Sequence, residues 1–222
     1  MIWAAVWLSL KLAALTTVIL LVAGLPLAWW LATTRNRLRP MVEALTALPL
    51  VLPPTVLGFY LLILMSPEAP LGAAFLRLTG DTLTFSFSGL VIASIFYSLP
   101  FAVQPMQTAF AGVGPGLMEA ASMLGARRRD AFFSIAMPLA RRGMLTAGVL
   151  TFAHTLGEFG VVLMVGGNIP GRTRVISIEI YTAVETLDYA TAHILSAALL
   201  VLSFVVLSFV YVLNQGRGRR LV

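Results

Sequence analysis

The chain has 222 residues, of which 59% are hydrophobic and 11% charged. Soluble domains carry about 25% charged residues, so most of this surface faces something other than water. The net charge of +6 would suit a nucleic-acid partner, but the cations sit in short clusters between apolar runs, and the lack of cysteine excludes disulfides, thiolate metal sites and cysteine nucleophiles.

A helix crosses a membrane with about 20 apolar residues. Runs at 8–33, 44–66, 84–109, 143–166 and 191–213 meet that length. They predict an all-α integral membrane protein of about five spans, in one membrane domain over 1–222. The first run has no basic stretch before it, because Lys11 is the only cation ahead of Arg35. It is also too long for the apolar core of a signal peptide, which predicts a retained span and no separate targeting segment. The second run contains Pro53 and Pro54, which either kink one helix or break it to shape a passage. The third lies in the uncharged stretch 82–118, too short for two spans and a turn. Its end should be broken by Pro100, Pro105 and the glycine-rich 111–116.

Between the third and fourth runs lies a polar segment at 114–142. Pro115 suits the first position of a helix and Gly125 its C-terminal cap. Leu117, Ala120, Ala121 and Leu124 share one face, so a short amphipathic helix is expected, with Glu119 in its first turn near the positive end of the dipole. A second short helix should run from about Arg129 to Met137 before Pro138 turns the chain toward the fourth run. The fourth run holds Glu158, the only acid deep in any run, at an insertion cost of roughly 2.5–3.5 kcal/mol. Gly157 and Gly160 flank it and would admit a close helix neighbour. His154 lies one turn earlier. Glu158 serves either as a gate or pathway element or as a hydrogen-bonded contact between helices. Two such ligands without a third partner or a nucleophile make neither a metal site nor a catalytic one. The stretch 167–190 carries Arg172, Arg174, Glu179, Glu185 and Asp188, which marks it as a loop and not a sixth span. The fifth run follows, with His193 at its edge.

Arginine placement sets the orientation. Arg35, Arg37, Arg39, Arg127, Arg128, Arg129, Arg141, Arg142, Arg217, Arg219 and Arg220 fall on one side of a five-span topology, against Arg77, Arg172 and Arg174 on the other. The N-terminus is therefore expected outside and the C-terminus in the cytoplasm. Lys11 can snorkel to the outer interface, and the 127–129 arginines serve either as anchors on lipid phosphates or as a nucleotide contact.

Glu119, Ala120, Ala121, Gly125, Ile135 and Pro138 match in order and spacing the E-A-A-x3-G-x9-I-x-L-P signature of the ATP-binding cassette (ABC) importer permeases. Met137 in place of leucine is the one departure. The segment resembles that family's coupling helices, which implies docking into a separate ATP-hydrolysing subunit. The chain itself lacks a phosphate-binding loop, since its one lysine is Lys11. It is therefore expected to be a transport subunit and not an enzyme, with no catalytic residues, cofactor or metal of its own. The 48–58 stretch, Gly157-Glu158-Phe159-Gly160, and Asn168-Ile169-Pro170-Gly171 with Thr173 and Tyr181 look like the molybdate permeases within this group. That resemblance extends over nearly the full chain and implies the type I importer fold in a bacterial inner membrane. It also implies a permease homodimer and an extracytoplasmic oxyanion-binding protein. Tungstate is so close to molybdate in size and charge that the residues do not separate them. Sulfate permeases share the signature but are longer, typically with six spans. Pro53, Pro54, Gly157, Glu158 and Gly160 are the pathway or gate candidates. No Lys or Arg lies near the middle of a predicted span, so a passage is expected and not a tight anion site. A secondary transporter would need inverted repeats and ion-coupling groups, and neither is visible.

Overall fold

A computed structural model describes residues 2–215. Every regular element among them is helical. The first, α1 (Ile2–Thr33), has 32 residues, about 48 Å at 1.5 Å per residue, more than the roughly 30 Å of hydrocarbon it must cross. It begins six residues before the expected span. Apolar side chains surround it on all sides, as in helices buried in protein or lipid. Its buried positions Ser9, Leu12, Ala13, Thr16, Leu20, Gly24, Ala28 and Leu31 nevertheless form one stripe at helical spacing.

That stripe packs against α5 (Phe87–Ala111) and α8 (Met137–Leu156). Small residues bring the three helices together. A Cβ on Gly24 would sit 3.2 Å from the Met106 terminal methyl, and one on Gly148 would sit 3.3 Å from Leu21. One on Gly143 would clash with Ala109. The core between them consists of Leu20, Leu31, Val103, Met106, Phe110, Ala136, Ala140 and Ala147. Contrary to the sequence expectation, Pro100 and Pro105 do not break α5, which runs unbroken through both. Neighbouring helices in a bundle tolerate the freed carbonyls that would fray an isolated helix.

The second and fourth expected spans are not straight rods. Residues of the second form α2 (Arg39–Ala47), a 3₁₀ turn at Leu48–Leu50, and α3 (Pro54–Met65), with a bend of 108° across the break. At 12 residues, α3 is about 18 Å long, too short to cross alone. Pro53 and Pro54 thus end one helix and start another, and the simple-kink alternative is set aside. Pro54 opens α3 because the first helical position needs no N–H donor.

The fourth runs without a gap from α7 (Arg128–Ala131) through a π turn at Phe132–Ala136 into α8. It then bends by 60° into α9 (Gly160–Gly166). Pro138 does not turn the chain, as expected from sequence, because the wide π turn just ahead of it absorbs the missing donor and the ring within a continuous helix. Among the described residues, three helices (α1, α5 and Tyr189–Val212 within α11, Tyr189–Gln215) are long and apolar enough to cross a membrane singly. Each bent pair supplies one more if counted as a broken span.

Two short helices lie beside this frame. α4 (Pro70–Thr79) closes on Gly80, which has φ +75°. α10 (Ile176–Glu185) occupies the stretch expected to be loop, too short to be a span. Its amide N–H at Ile176 donates to Ser9 Oγ at 2.8 Å, which fixes it to α1. Arg172 reaches Asp81, just after α4, at 3.2 Å and Arg174 reaches Glu179 at 3.4 Å, so both arginines that ruled out a span are held in ion pairs. Asp188 precedes α11, where the Thr191 side chain and backbone amide hold its carboxyl below the usual carboxylate range. Arg217, Arg219 and Arg220 lie outside the described residues.

Candidate functional site

The 114–142 segment leaves α5 through Gly114, whose φ of +74° turns the chain, and enters α6 (Pro115–Met123). Gly125 has φ +82°. Its N–H donates to Ser122 O at 3.0 Å, and the Ala126 N–H donates to Ala121 O at 3.0 Å. These are the paired bonds of a glycine-terminated Schellman cap, which satisfies carbonyls the helix end would otherwise leave open. A Cβ at Gly125 would meet nothing within 4 Å, so the glycine is required by the backbone and not by crowding. Glu119 lies just past the first turn of α6, not within it, because the helix already starts at Pro115.

The apolar face of α6 is mostly uncovered. Ala121 turns inward at 6% exposure, while Leu117 is 50%, Met123 88% and Leu124 89% exposed. Phe133, in the π turn beside α6, is 65% exposed. Glu119 and Ala120 are also exposed, Ile135 is half-buried and Pro138 lies at the surface. Several large exposed apolar side chains gathered on one short segment mark a contact site. Met123 and Phe133 were not among the expected residues. The signal was available for Met123, a large apolar residue directly before the helix cap.

The second site forms where the two helix breaks meet. A Cβ on Gly160 would come within 2.7 Å of Pro54 Cβ, and one on Gly58 within 2.7 Å of Met164 Cβ. The shortened helices α3 and α9 therefore pack against each other directly beyond their breaks, and two residues from distant runs, Pro54 and Gly160, become neighbours. Gly157 has a different role from the one expected. Its nearest would-be contact is Ala153 O at 3.7 Å, so it ends α8 and admits no close helix.

Glu158 sits in the bend at 4% exposure. Ser94 Oγ of α5 donates to its Oε2 at 2.8 Å, and Ser177 Oγ of α10 donates to its backbone carbonyl at 2.5 Å. Its Oε1 is buried with no hydrogen-bond partner. One turn away Ser98 Oγ lies 2.9 Å from both His154 Nδ1 and Thr155 Oγ1, with Phe101 stacked on the imidazole at 3.9 Å. His154 and Glu158 thus face the same side of α5. The sequence reading missed Ser94 and Ser98. Their spacing of four in an apolar run matches that of His154 and Glu158, which was the clue. A polar ladder of this kind can hold two helices in register or offer polar groups to a passage.

Residues 5–219 match the family model described as the binding-protein-dependent transport system inner membrane component. The chain is 56% identical over 208 residues to the molybdenum transport system permease protein ModB of Azotobacter vinelandii, covering 94% of this chain and 92% of that protein. It is 36% identical to ModB of Escherichia coli K12, covering 98% and 97%. Among solved structures, a bacterial alginate ABC transporter in complex with an alginate pentasaccharide-bound periplasmic protein superposes with a TM-score of 0.73 at 19% identity. That match covers 93% of this chain and 76% of the other. The helical order, the broken spans and the signature running from α6 into α8 thus occur together, and the chain belongs to the binding-protein-dependent transport system inner membrane components.

Proposed function

We propose that this chain is the membrane-spanning permease of an ATP-driven importer that carries molybdate into the bacterial cytoplasm. The observation that carries the coupling half of this reading is α6. A glycine-capped helix holds Glu119, Ala120 and Gly125 in place beside an apolar face that its own chain leaves open. A separate ATPase subunit is the partner of matching chemistry for that face, with Ile135 and Pro138 following in the same segment. The substrate half rests on the likeness to molybdenum permeases over almost the whole chain.

In this reading the chain crosses the inner membrane five times, counting each bent pair as one crossing, with the N-terminus outside and α6 in the cytoplasm. Two copies enclose the passage. Exposed apolar residues on α3 and α11, such as Phe59, Ile63, Phe204 and Phe209, suit lipid or that second copy. Pro53, Pro54, Gly157, Glu158 and Gly160 shape the gate where the breaks meet. Lys11 is the one lysine, and its Nζ lies 4.7 Å over the Phe87 ring at the start of α5. A divalent anion held tightly in mid-membrane would need several charge-assisted donors. Selectivity therefore belongs to an extracytoplasmic binding protein.

Deletion of this chain should abolish uptake at low external molybdate, with growth restored by excess molybdate. Unchanged uptake would refute the proposal. Competition on the cognate binding protein then reports the anion: preference for sulfate or tungstate over molybdate would reassign the substrate. Uptake by the chain in vesicles without any ATPase would instead place it among secondary transporters.

A further inference from the structure

The ends of α1 and α5 with α6 and α7 border an open cleft of about 770 Å³, whose lining includes Glu119 and Met123 at the edge of the exposed α6 surface. Arg35, Arg39 and Arg128 line it together with Glu119, and Trp29 and Phe110 form part of its apolar floor. Trp29 packs edge to face on Phe110 at 5.2 Å, and Phe132, outside the lining, packs on Trp29 at 5.0 Å. Arg39 is paired with Glu43 at 3.0 Å. Among the described residues, Arg35 and Arg128 have no carboxylate partner within salt-bridge distance. The cleft therefore presents two guanidinium groups outside any ion pair, with the Glu119 carboxylate also in its lining, beside an aromatic surface.

We propose that this cleft holds the headgroup of an acidic phospholipid, and that the bound lipid braces α6 against the end of α1. Charge and depth both point to that occupant. Guanidinium groups bind phosphate oxygens in a forked geometry that matches a phosphodiester. Tryptophan collects at headgroup level, and Trp29 lies in the last turns of α1 and lines the same cleft as the arginines. Basic pockets between membrane helices on the cytoplasmic side take acidic headgroups for this reason. A free tetrahedral oxyanion would use the arginines and leave the aromatic floor without a contact. The orientation proposed above is assumed, since it places the cleft at the inner leaflet.

The full chain, reconstituted in nanodiscs of phosphatidylethanolamine with phosphatidylglycerol and released into native mass spectrometry, should retain one phosphatidylglycerol and no phosphatidylethanolamine. Arg35→Gln and Arg128→Gln should each weaken retention about fivefold, the factor set by roughly 1 kcal/mol per interfacial cation. Arg35→Lys with Arg128→Lys should keep most of it, and Arg77→Gln, remote from the cleft, should change nothing. Equal retention of both lipids would overturn the proposal. So would displacement of phosphatidylglycerol by inorganic phosphate or molybdate, which would assign the site to a free oxyanion, or its expulsion by the added ATPase chain, which would assign the cleft to that protein. The readout uses the permease alone, so a failed uptake assay would leave it standing. Labelling of a cysteine at position 128 from outside the cell would overturn the orientation it assumes.

Discussion

Gly125 offers a clean perturbation because nothing surrounds it. Its φ is +82° and a Cβ built there meets no atom within 4 Å, so Gly125→Ala introduces only backbone strain. A left-handed conformation costs a non-glycine residue roughly 1–2 kcal/mol. If the cap must be closed for α6 to dock, that cost lowers affinity for the ATPase chain about 5- to 30-fold. Asparagine tolerates the left-handed region, so Gly125→Asn should fall within about threefold of the parent. The assay is a titration of purified ATPase subunit against the detergent-solubilised permease variants, with thermal unfolding measured in parallel. Melting temperatures should be nearly unchanged, because the strain lies at an exposed helix end. If the alanine and asparagine variants bind equally poorly, the glycine serves a close contact with the partner and the backbone explanation fails. If both bind like the parent, the cap has no part in docking.

Other perturbations test separate parts of the structure. Gly160→Ala should destabilise the chain by about 1–3 kcal/mol through overpacking against Pro54, whereas Gly157→Ala should stay within about 0.5 kcal/mol; comparing their thermal midpoints decides the point. Glu158→Ala leaves the buried Ser94 hydroxyl without its acceptor and should cost about 1–3 kcal/mol, while Glu158→Gln should keep the bond and most of the stability. A glutamine variant as unstable as the alanine one would show that the ionised group itself is required. Met123→Asp with Leu124→Asp should leave the melting temperature unchanged, because both side chains are almost fully exposed, yet should abolish ATPase binding in the same titration. Single cysteines at positions 36 and 128 should label only from the cytoplasm and those at 81 and 172 only from outside, with the reverse pattern in intact cells refuting the orientation.

Much of this protein was legible from the chain itself. Long runs without charge dictate membrane helices, since a buried backbone without water must satisfy its own hydrogen bonds. Arginine placement supplied an expected topology by the same local physics, and Glu119 to Pro138 carried the family resemblance in their spacing alone. The cap at Gly125 was also readable, because a left-handed helix end is a property of a few adjacent residues. Whether a proline breaks a helix was not readable. Pro100 and Pro105 sit inside an unbroken α5, Pro138 is absorbed by a π turn, and Pro53 and Pro54 divide a run into two helices bent by 108°. The same ring has three outcomes because neighbouring helices decide whether the freed carbonyls and the bend are accommodated. The contact of Pro54 with Gly160, the bond from Ser94 to Glu158 and the arginine-lined cleft each join residues far apart in the chain. Such contacts depend on how helices pack, and the period of a single helix contains no information about which residues of another it will meet.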